Sequence, residues 1–361
     1  GGVKNLASAG CATVGGGQQN TGSGAHSTVG GGELNNSTTL HSTIGGGKNN
    51  LIDGQTCQVI AGGQDNISSG QHNVIGGGCK NDTGTGAGVT IAGGRCSTVQ
   101  DGANSSFIGG GFRNCVNSNG QTGTLAGGMC NVVDANNSTV SGGYKNCTTG
   151  YASFVGGGIC NHATGSGSTI GGGSGSFAPG TMGVVGGGYH NTASGDCSVV
   201  VGGTSGQATG QQSSIGGGVT NQATGTHSTI GGGETNLGSG AAATVAGGST
   251  NIASANCATI AGGKNNLASG VISTIGGGIN ISSSGTAATV GGGQNNEATA
   301  TTSTVGGGKL NISSGAGSTI SGGYGNQAVG TCSIIAGGLS NCADGIQSFI
   351  GGGIFNSGSG A

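Results

Sequence analysis

The sequence predicts an all-β fold, a parallel β-solenoid of stacked turns that each hold about 15 residues and two short strands. Three observations predict it. A glycine-rich triplet recurs along the whole chain, the residue before each triplet is Ile, Val or Leu, and Asn usually stands third after the triplet. A disordered glycine- and serine-rich linker has no physical reason to keep such columns, so the repeat indicates an ordered structure.

The repeating unit, here called a rung, has the consensus GGG-x-x-N-x-A/S-x-G-x-x-S-T-I/V. We number it from position 1, the first triplet residue, to position 15, and count the last positions back from the next triplet in longer rungs. The period is 15 residues from Gly15 to Gly45 and again from Ala126 onward, with rungs of 15 to 17 residues between. Residues 1–361 therefore read as a single repeat domain of about 24 rungs, with no separate cap visible at either end.

Each rung is predicted to contain two strands and two corners. Polarity alternates with a period of two, as where Ser228 and Ile230 flank Thr229, and this pattern favours a strand over a helix. Glycine at positions 1 to 3 and near position 10 is expected to form the corners, because glycine adopts positive φ without steric cost. A rung thus reads as strand, turn, strand, turn, stacked on the next at roughly 4.8 Å.

Two columns are expected to face the interior. Position 15 should form an aliphatic core ladder, represented by Val29, Ile44, Ile60, Ile170, Ile230, Ile275 and Ile350. Position 6 should form an asparagine ladder whose amides bond to one another and to turn backbone, represented by Asn20, Asn50, Asn161, Asn221, Asn266 and Asn326. One buried aliphatic side chain per rung does not offset the backbone entropy of ordering that rung, so hydrogen bonds between rungs and burial against other chains are expected to contribute.

Composition argues against several classes of function. The formal net charge is −2, which gives no indication of nucleic-acid binding, and no apolar run approaches the length of a membrane span, so no membrane insertion is expected. The segments GGGKNN at Gly45 and AGGKNN at Ala261 resemble nucleotide loops only superficially, because Asn follows the Lys. The position-12 histidines lack a paired carboxylate or nucleophile. We predict no catalysis, no cofactor and no metal.

The variable chemistry lies at positions 4 and 5. All eight basic residues occupy these positions, and four aromatic residues join them at position 4. For any single residue, a solvated turn side chain is the simpler interpretation. The column as a whole is a candidate recognition edge for sugar faces or anionic groups, and its selected members are Phe112, Tyr144, Tyr189, Tyr324, Lys48, Arg95, Arg113 and Lys145.

Position 14 forms a stripe beside position 1, which holds Gly, Ala or Ser except at Val201. Its longest uniform run is Thr229, Thr244, Thr259, Thr274, Thr289, Thr304 and Thr319. Flat stripes of hydroxyl and methyl groups usually pack against another chain. The alternative is a surface that binds ice.

The 12 cysteines give no metal-site spacing. A cluster in successive rungs comprises Cys96, Cys115, Cys130, Cys147 and Cys160. Two alternatives remain open for it: disulfides between rungs or chains, and reduced thiols. Two residues of lateral offset between positions 5 and 7, added to the spacing of one rung, exceed the usual Cα separation of a disulfide.

The segment NQATGTHSTIGGG, which begins at Asn221, resembles the head repeats of YadA-like trimeric autotransporter adhesins. It is also similar to the glycine-rich repeat shafts of phage tail fibres and of surface fibres of large DNA viruses. This resemblance implies a left-handed β-roll, three chains side by side, and an extracellular or virion-surface location. A second resemblance, of the N-x-A-x-G half-repeat, is to solenoid ice-binding proteins.

From these patterns we predict a non-catalytic structural fibre or adhesin-like attachment shaft. Its expected partners are copies of itself, in a trimer or filament, and a host glycan or surface receptor. The alternative function is an antifreeze solenoid that uses the threonine run.

Overall fold

A computed structural model describes residues 1–359 and confirms an all-β parallel β-solenoid of about 24 turns, with no helix in that range. The chain divides into two compact units, Gly1–Met182 and Gly183–Ala361. Each unit is a stack of rungs, and rungs that follow one another in the sequence are neighbours in the stack. The predicted two short strands per rung are present in both units.

Every strand contains two residues, and within each unit strands pair in parallel with the equivalent strand of a neighbouring rung, except at one interruption of the second ladder. Positions 14 and 15 form one ladder of strands, here called sheet 1, as in the pairing of Thr229 with Thr244 and of Ile230 with Val245. Positions 7 and 8 form the other, sheet 2, as in the pairing of Leu237 with Ile252. This register places equivalent residues of successive rungs in columns, as the sequence predicts.

In the first unit, the strands of sheet 1 are Thr13–Val14, Thr28–Val29, Thr43–Ile44, Val59–Ile60, Val74–Ile75, Thr90–Ile91, Phe107–Ile108, Thr124–Leu125, Thr139–Val140, Phe154–Val155 and Thr169–Ile170. Those of sheet 2 are Leu6–Ala7, Thr21–Gly22, Asn36–Ser37, Leu51–Ile52, Ile67–Ser68, Thr98–Val99, Cys115–Val116, Val132–Val133, Cys147–Thr148, His162–Ala163 and Phe177–Ala178. Sheet 2 is interrupted after Ile67–Ser68, where Asp82 makes only isolated bridges to Ile67 and Thr98.

In the second unit, the strands of sheet 1 are Val184–Val185, Val199–Val200, Ser214–Ile215, Thr229–Ile230, Thr244–Val245, Thr259–Ile260, Thr274–Ile275, Thr289–Val290, Thr304–Val305, Thr319–Ile320, Ile334–Ile335 and Phe349–Ile350. Those of sheet 2 are Thr192–Ala193, Gln207–Ala208, Gln222–Ala223, Leu237–Gly238, Ile252–Ala253, Leu267–Ala268, Ser282–Ser283, Glu297–Ala298, Ile312–Ser313, Gln327–Ala328, Cys342–Ala343 and Ser357–Gly358.

The interior of each unit is narrow and is filled from both sheets. The position-15 residues selected from the sequence are fully buried, except Ile350, which is 8% exposed. Position 8 of sheet 2 faces them and is also buried, with small residues such as Ala253 in most rungs and larger ones such as Ile52, Val99 and Val116 in the first unit. Position 8 is therefore a second core column, which the sequence pattern of A or S did not by itself identify.

The asparagine ladder bonds mainly to backbone. Asn221 Nδ2 donates to the carbonyl oxygens of Gly217 at 2.8 Å and Gly233 at 3.0 Å, and its Oδ1 accepts the backbone N–H of Asn236 at 2.9 Å. Each amide thus ties its own triplet to the next one. The expected bonds between amide side chains are present in only a few rungs, as from Asn50 Nδ2 to Asn35 Oδ1 at 3.0 Å.

The corners differ from the expectation for glycine. Positive φ occurs at the third triplet residue, for example Gly248 at 88°, but it also occurs at positions 5 and 12, which rarely hold glycine. The prediction that glycine near position 10 supplies positive φ is wrong for most rungs. Glycine is favoured there for close approach, because a Cβ on Gly225 would overlap the carbonyl of Gly240 in the next rung.

Replacing a β-branched residue in a left-handed corner should stabilise the second unit. Ile272 has φ of 60° and is 58% exposed, so it is strained without a compensating burial. We expect Ile272→Asn to raise the free energy of unfolding by about 1 kcal/mol, because Asn tolerates this conformation far better. Urea denaturation followed by circular dichroism would measure it. Val271→Asn removes a neighbouring exposed side chain without positive φ and should change stability little; an equal gain in both variants would contradict the explanation.

Candidate recognition edge

The recognition edge consists of positions 4 and 5 of each rung. Position 4 is held in register by single-residue parallel bridges between successive rungs, such as those that link Arg95, Phe112 and Met129. Position 5 is left-handed, and its N–H donates to the position-4 carbonyl of the preceding rung, as from Arg113 to Arg95 at 3.0 Å. Two fixed side-chain columns result, at a spacing of roughly 4.8 Å per rung.

The structure brings only some of the selected edge residues together. Arg95, Phe112 and Arg113 are neighbours in the first unit, and Tyr144 and Lys145 lie two rungs further along that edge. Tyr189 and Tyr324 belong to the second unit, where they are 53% and 45% exposed and lie nine rungs apart along its edge. Lys48 forms an ion pair with Glu33 at 3.2 Å.

Aromatic rings support the cations of the first unit. The guanidinium groups of Arg95 and Arg113 lie 5.7 and 5.0 Å from the centroid of the Phe112 ring, and Lys145 Nζ lies 5.1 Å from that of Tyr144. These are cation–π distances. A hydrogen bond with the Tyr144 side chain raises the pKa of Lys145, so this ammonium group is charged at any physiological pH. The edge here presents fixed positive charge.

The threonine run forms an exact column in the second unit. The seven residues pair in register from Thr229 to Thr319, and each is partly or well exposed on the outer face of sheet 1. The next outward-facing residue after the strand, at position 1, is small in these rungs, as at Gly231, Ala246 and Ser321. The face is therefore flat and mixes hydroxyl and methyl groups.

All 12 cysteines are free thiols, and every one of them lies within the described range. In the predicted cluster, Cys115 and Cys147 share position 7, but the rung of Val132 lies between them, so their backbones are two rung spacings apart. Cys96, Cys130 and Cys160 share position 5 and alternate with Arg113 and Lys145. A two-rung separation, about 9.6 Å, is too long for a disulfide.

Two thiols of the cluster should react slowly. Burial, with a further effect of the Asp134 carboxylate, raises the pKa of Cys115 to about 11 and raises that of Cys147 as well. Because the thiolate is the nucleophile, alkylation of Cys115 by iodoacetamide should rise about tenfold per pH unit between pH 8 and 10. Mass spectrometry of the labelled peptides would measure the rates.

Asp134→Asn should accelerate alkylation of both thiols, since it removes a negative charge that disfavours the thiolate. Asp344→Asn is the matched control, because Asp344 acts on Cys342 instead. A rate for Cys115 that is already at its plateau at pH 8 would contradict the raised pKa.

The structure contains a surface depression that was not predicted from the sequence. An open depression of about 340 Å³ lies beside the interruption of sheet 2 and is lined by Asp82, Gly84, Thr98, Val99, Gln100, Asp101 and Ser118. Burial, partly opposed by a hydrogen bond from the Gly84 N–H, raises the pKa of Asp82. The lengthened rungs between Gly76 and Ile108, of 16 and 17 residues, were the available signal.

Residues 1–359 contain no group of three or more His, Cys, Asp or Glu side chains placed to hold a metal ion. In the same range no helix is long and apolar enough to cross a membrane. Comparison with known proteins gives no matching protein family and no matching curated protein.

Proposed function

We propose that this chain is a non-catalytic structural and attachment fibre on the exterior of a virion or cell. In this proposal the rungs are scaffold and the recognition edge contacts a receptor. Three copies assemble side by side, with a left-handed coil in each.

The main support for the proposal is that the buried positions repeat from rung to rung, whereas the side chains of the exposed edge vary. Positions 6 and 15 are buried in nearly every rung and repeat with little change, whereas all eight basic side chains lie on an edge that the backbone holds in register. Such a division suits a scaffold that displays different groups along one line. A repeated scaffold with a variable edge is also what the resemblance to adhesin head repeats and fibre shafts implies.

The outer face of sheet 1 is the surface that we assign to contacts between chains. Position 14 is Thr, Val, Ile or Phe in every rung except at Ser214, and most of these side chains are only half-exposed in the single chain. A flat face of β-branched and aromatic residues beside small position-1 residues allows close packing of a second copy.

Light scattering tests the assembly. A trimer requires about three times the chain mass of 33.2 kDa. The double variant Thr244→Lys/Thr274→Lys places charges on the proposed interface and should give monomers. Thr226→Lys/Thr286→Lys adds the same charges at exposed position-11 sites of the same unit and should remain trimeric. A monomeric parent chain would overturn the side-by-side trimer.

The threonine run favours a second candidate function, ice binding. Seven in-register threonines give a flat, regularly spaced array. Thermal hysteresis and ice shaping by the purified monomer would support this candidate, and Thr244→Lys/Thr274→Lys should then abolish both effects. A trimer without thermal hysteresis supports the fibre.

A further inference from the structure

One stretch of the recognition edge carries an unusual alternation. In six successive rungs of the first unit, position 5 holds Lys80, Cys96, Arg113, Cys130, Lys145 and Cys160. All six residues are left-handed, with φ between 53° and 58°, so their side chains leave the backbone in equivalent directions. Arg95 lies beside Cys96, at position 4. We call Lys80, Arg95, Arg113 and Lys145 the basic strip.

The basic strip concentrates positive charge on the edge, and the nearest acidic residue in the same two columns is Asp65, one rung before Lys80, whose carboxylate accepts hydrogen bonds from Asn49 and Gln64. It holds four of the eight basic residues of the chain. From Cys79 to Gly175 neither position 4 nor position 5 is acidic. Within residues 1–359, Lys48 pairs with Glu33, whereas none of the four cations of the strip forms an ion pair. Cations aligned on one edge create a local positive potential that attracts an external anion.

The cations are also evenly spaced and partly preorganised. Lys80, Arg113 and Lys145 follow one another at intervals of two rungs, about 9.6 Å, and Arg95 lies in the intervening rung. Phe112 and Tyr144 hold three of the four cations over their rings. The thiols between them are small, so a polymer can lie along the strip in single file.

We propose that the basic strip binds an acidic polysaccharide, sulfated or rich in uronic acid, along the stacking direction of the first unit. This inference deepens the proposed function by naming the receptor class and the segment that binds it. The two-rung interval is comparable to the length of a disaccharide, so one anionic group per disaccharide would meet one cation. Single-stranded nucleic acid fits less well, because cations already lie over the aromatic rings on which bases would stack.

A pair of charge-matched variants tests the proposal. The strip variant is Lys80→Gln/Arg95→Gln/Arg113→Gln/Lys145→Gln, and the control variant changes the other four basic residues, Lys4, Lys48, Lys264 and Lys309, to Gln. Both lower the formal charge equally. Gln is compatible with the left-handed corner, since Gln19 and Gln212 already occupy such corners.

The probes are heparin, polygalacturonate and a 20-nucleotide oligothymidylate, with binding measured by surface plasmon resonance. We expect the strip variant to lose at least tenfold in affinity for one of the polysaccharides and the control variant to lose less than twofold. Four ionic contacts should give a slope of about −3 for log K against log salt concentration. Tighter binding of the oligonucleotide, equal loss in both variants, or no polysaccharide binding at moderate salt would overturn the proposal.

The thiols give a second readout that does not depend on the variants. A polysaccharide on the strip should slow alkylation of Cys96 and Cys130 severalfold, whereas Cys197, Cys257 and Cys332, at position 12 of the second unit, should be unaffected. Equal rates with and without polysaccharide would overturn the assignment. Light scattering separates the two ideas, because a trimer that binds no polysaccharide would leave the fibre proposal standing.

Discussion

Gly248→Ala should destabilise the second unit by about 4 kcal/mol or more, because it combines backbone strain with a steric overlap. Gly248 has φ of 88°, a region that alanine rarely adopts. An added Cβ would overlap the carbonyl oxygen of Gly263 and lie 2.5 Å from Asn251 Nδ2. Both neighbours belong to the ladder that joins adjacent rungs, so neither can move without loss of hydrogen bonds.

Gly247→Ala is the matched control. A Cβ on Gly247 meets no atom within 4 Å, and φ at this residue lies outside the left-handed region. The two variants make the same chemical change at adjacent residues, and we expect only Gly248→Ala to shift the urea midpoint strongly. If Gly248→Ala does not fold, it should be absent from the soluble fraction while Gly247→Ala is present at the parent level. That result would also support a strong destabilisation by Gly248→Ala. Similar stabilities would show that the triplet is not a steric corner.

Asn221→Ala should cost about 3 to 5 kcal/mol, because it removes three hydrogen bonds at once and leaves their partners behind. The amide N–H of Asn236 would lose its acceptor in a fully buried position. The carbonyl oxygens of Gly217 and Gly233 would each lose a donor. Hydrogen-exchange mass spectrometry should find faster exchange in the peptides that cover Asn221 and Asn236.

The control for this prediction is Asn256→Ala in the same unit. Asn256 is exposed and accepts one bond, from the N–H of Ala241 at 3.2 Å. We expect its removal to change the unfolding free energy by less than about 1 kcal/mol. If both substitutions have equal effects, the buried ladder contributes no more than surface turns. Natural rungs with Ser97, Ser176, Gly206 or Ile281 at position 6 indicate that single interruptions are tolerated.

Much of the fold could be predicted because one repeat constrains every rung. The invariant Ile, Val or Leu at position 15 identifies an inward column without knowledge of its contacts, and period-two alternation identifies the strand. The left-handed corners could not be predicted in this way, since Lys80, Cys96 and Ile272 carry no local signal for positive φ. Stacking imposes those angles, because the N–H groups at positions 5 and 12 each donate to a carbonyl in the rung before.

The recognition edge, too, could be predicted only in part from the sequence. The sequence places every basic residue at positions 4 and 5, but it treats Lys48, Tyr189 and Arg113 alike. The structure separates them, since Lys48 pairs with Glu33 whereas Arg95 and Arg113 lie over Phe112 without a carboxylate partner. Contacts between side chains of neighbouring rungs decide which cations are available to a ligand.

The sequence by itself determined the all-β solenoid, its rung length and the identity of its core ladder, because a strict period leaves few other ways to bury one aliphatic residue per 15. Only the tertiary structure decided that asparagine amides join triplets through backbone groups, that position 8 forms the opposite wall, and that rung-to-rung bonds hold ordinary residues in left-handed corners. Those features depend on the distance and register between rungs, which residue identity does not encode locally.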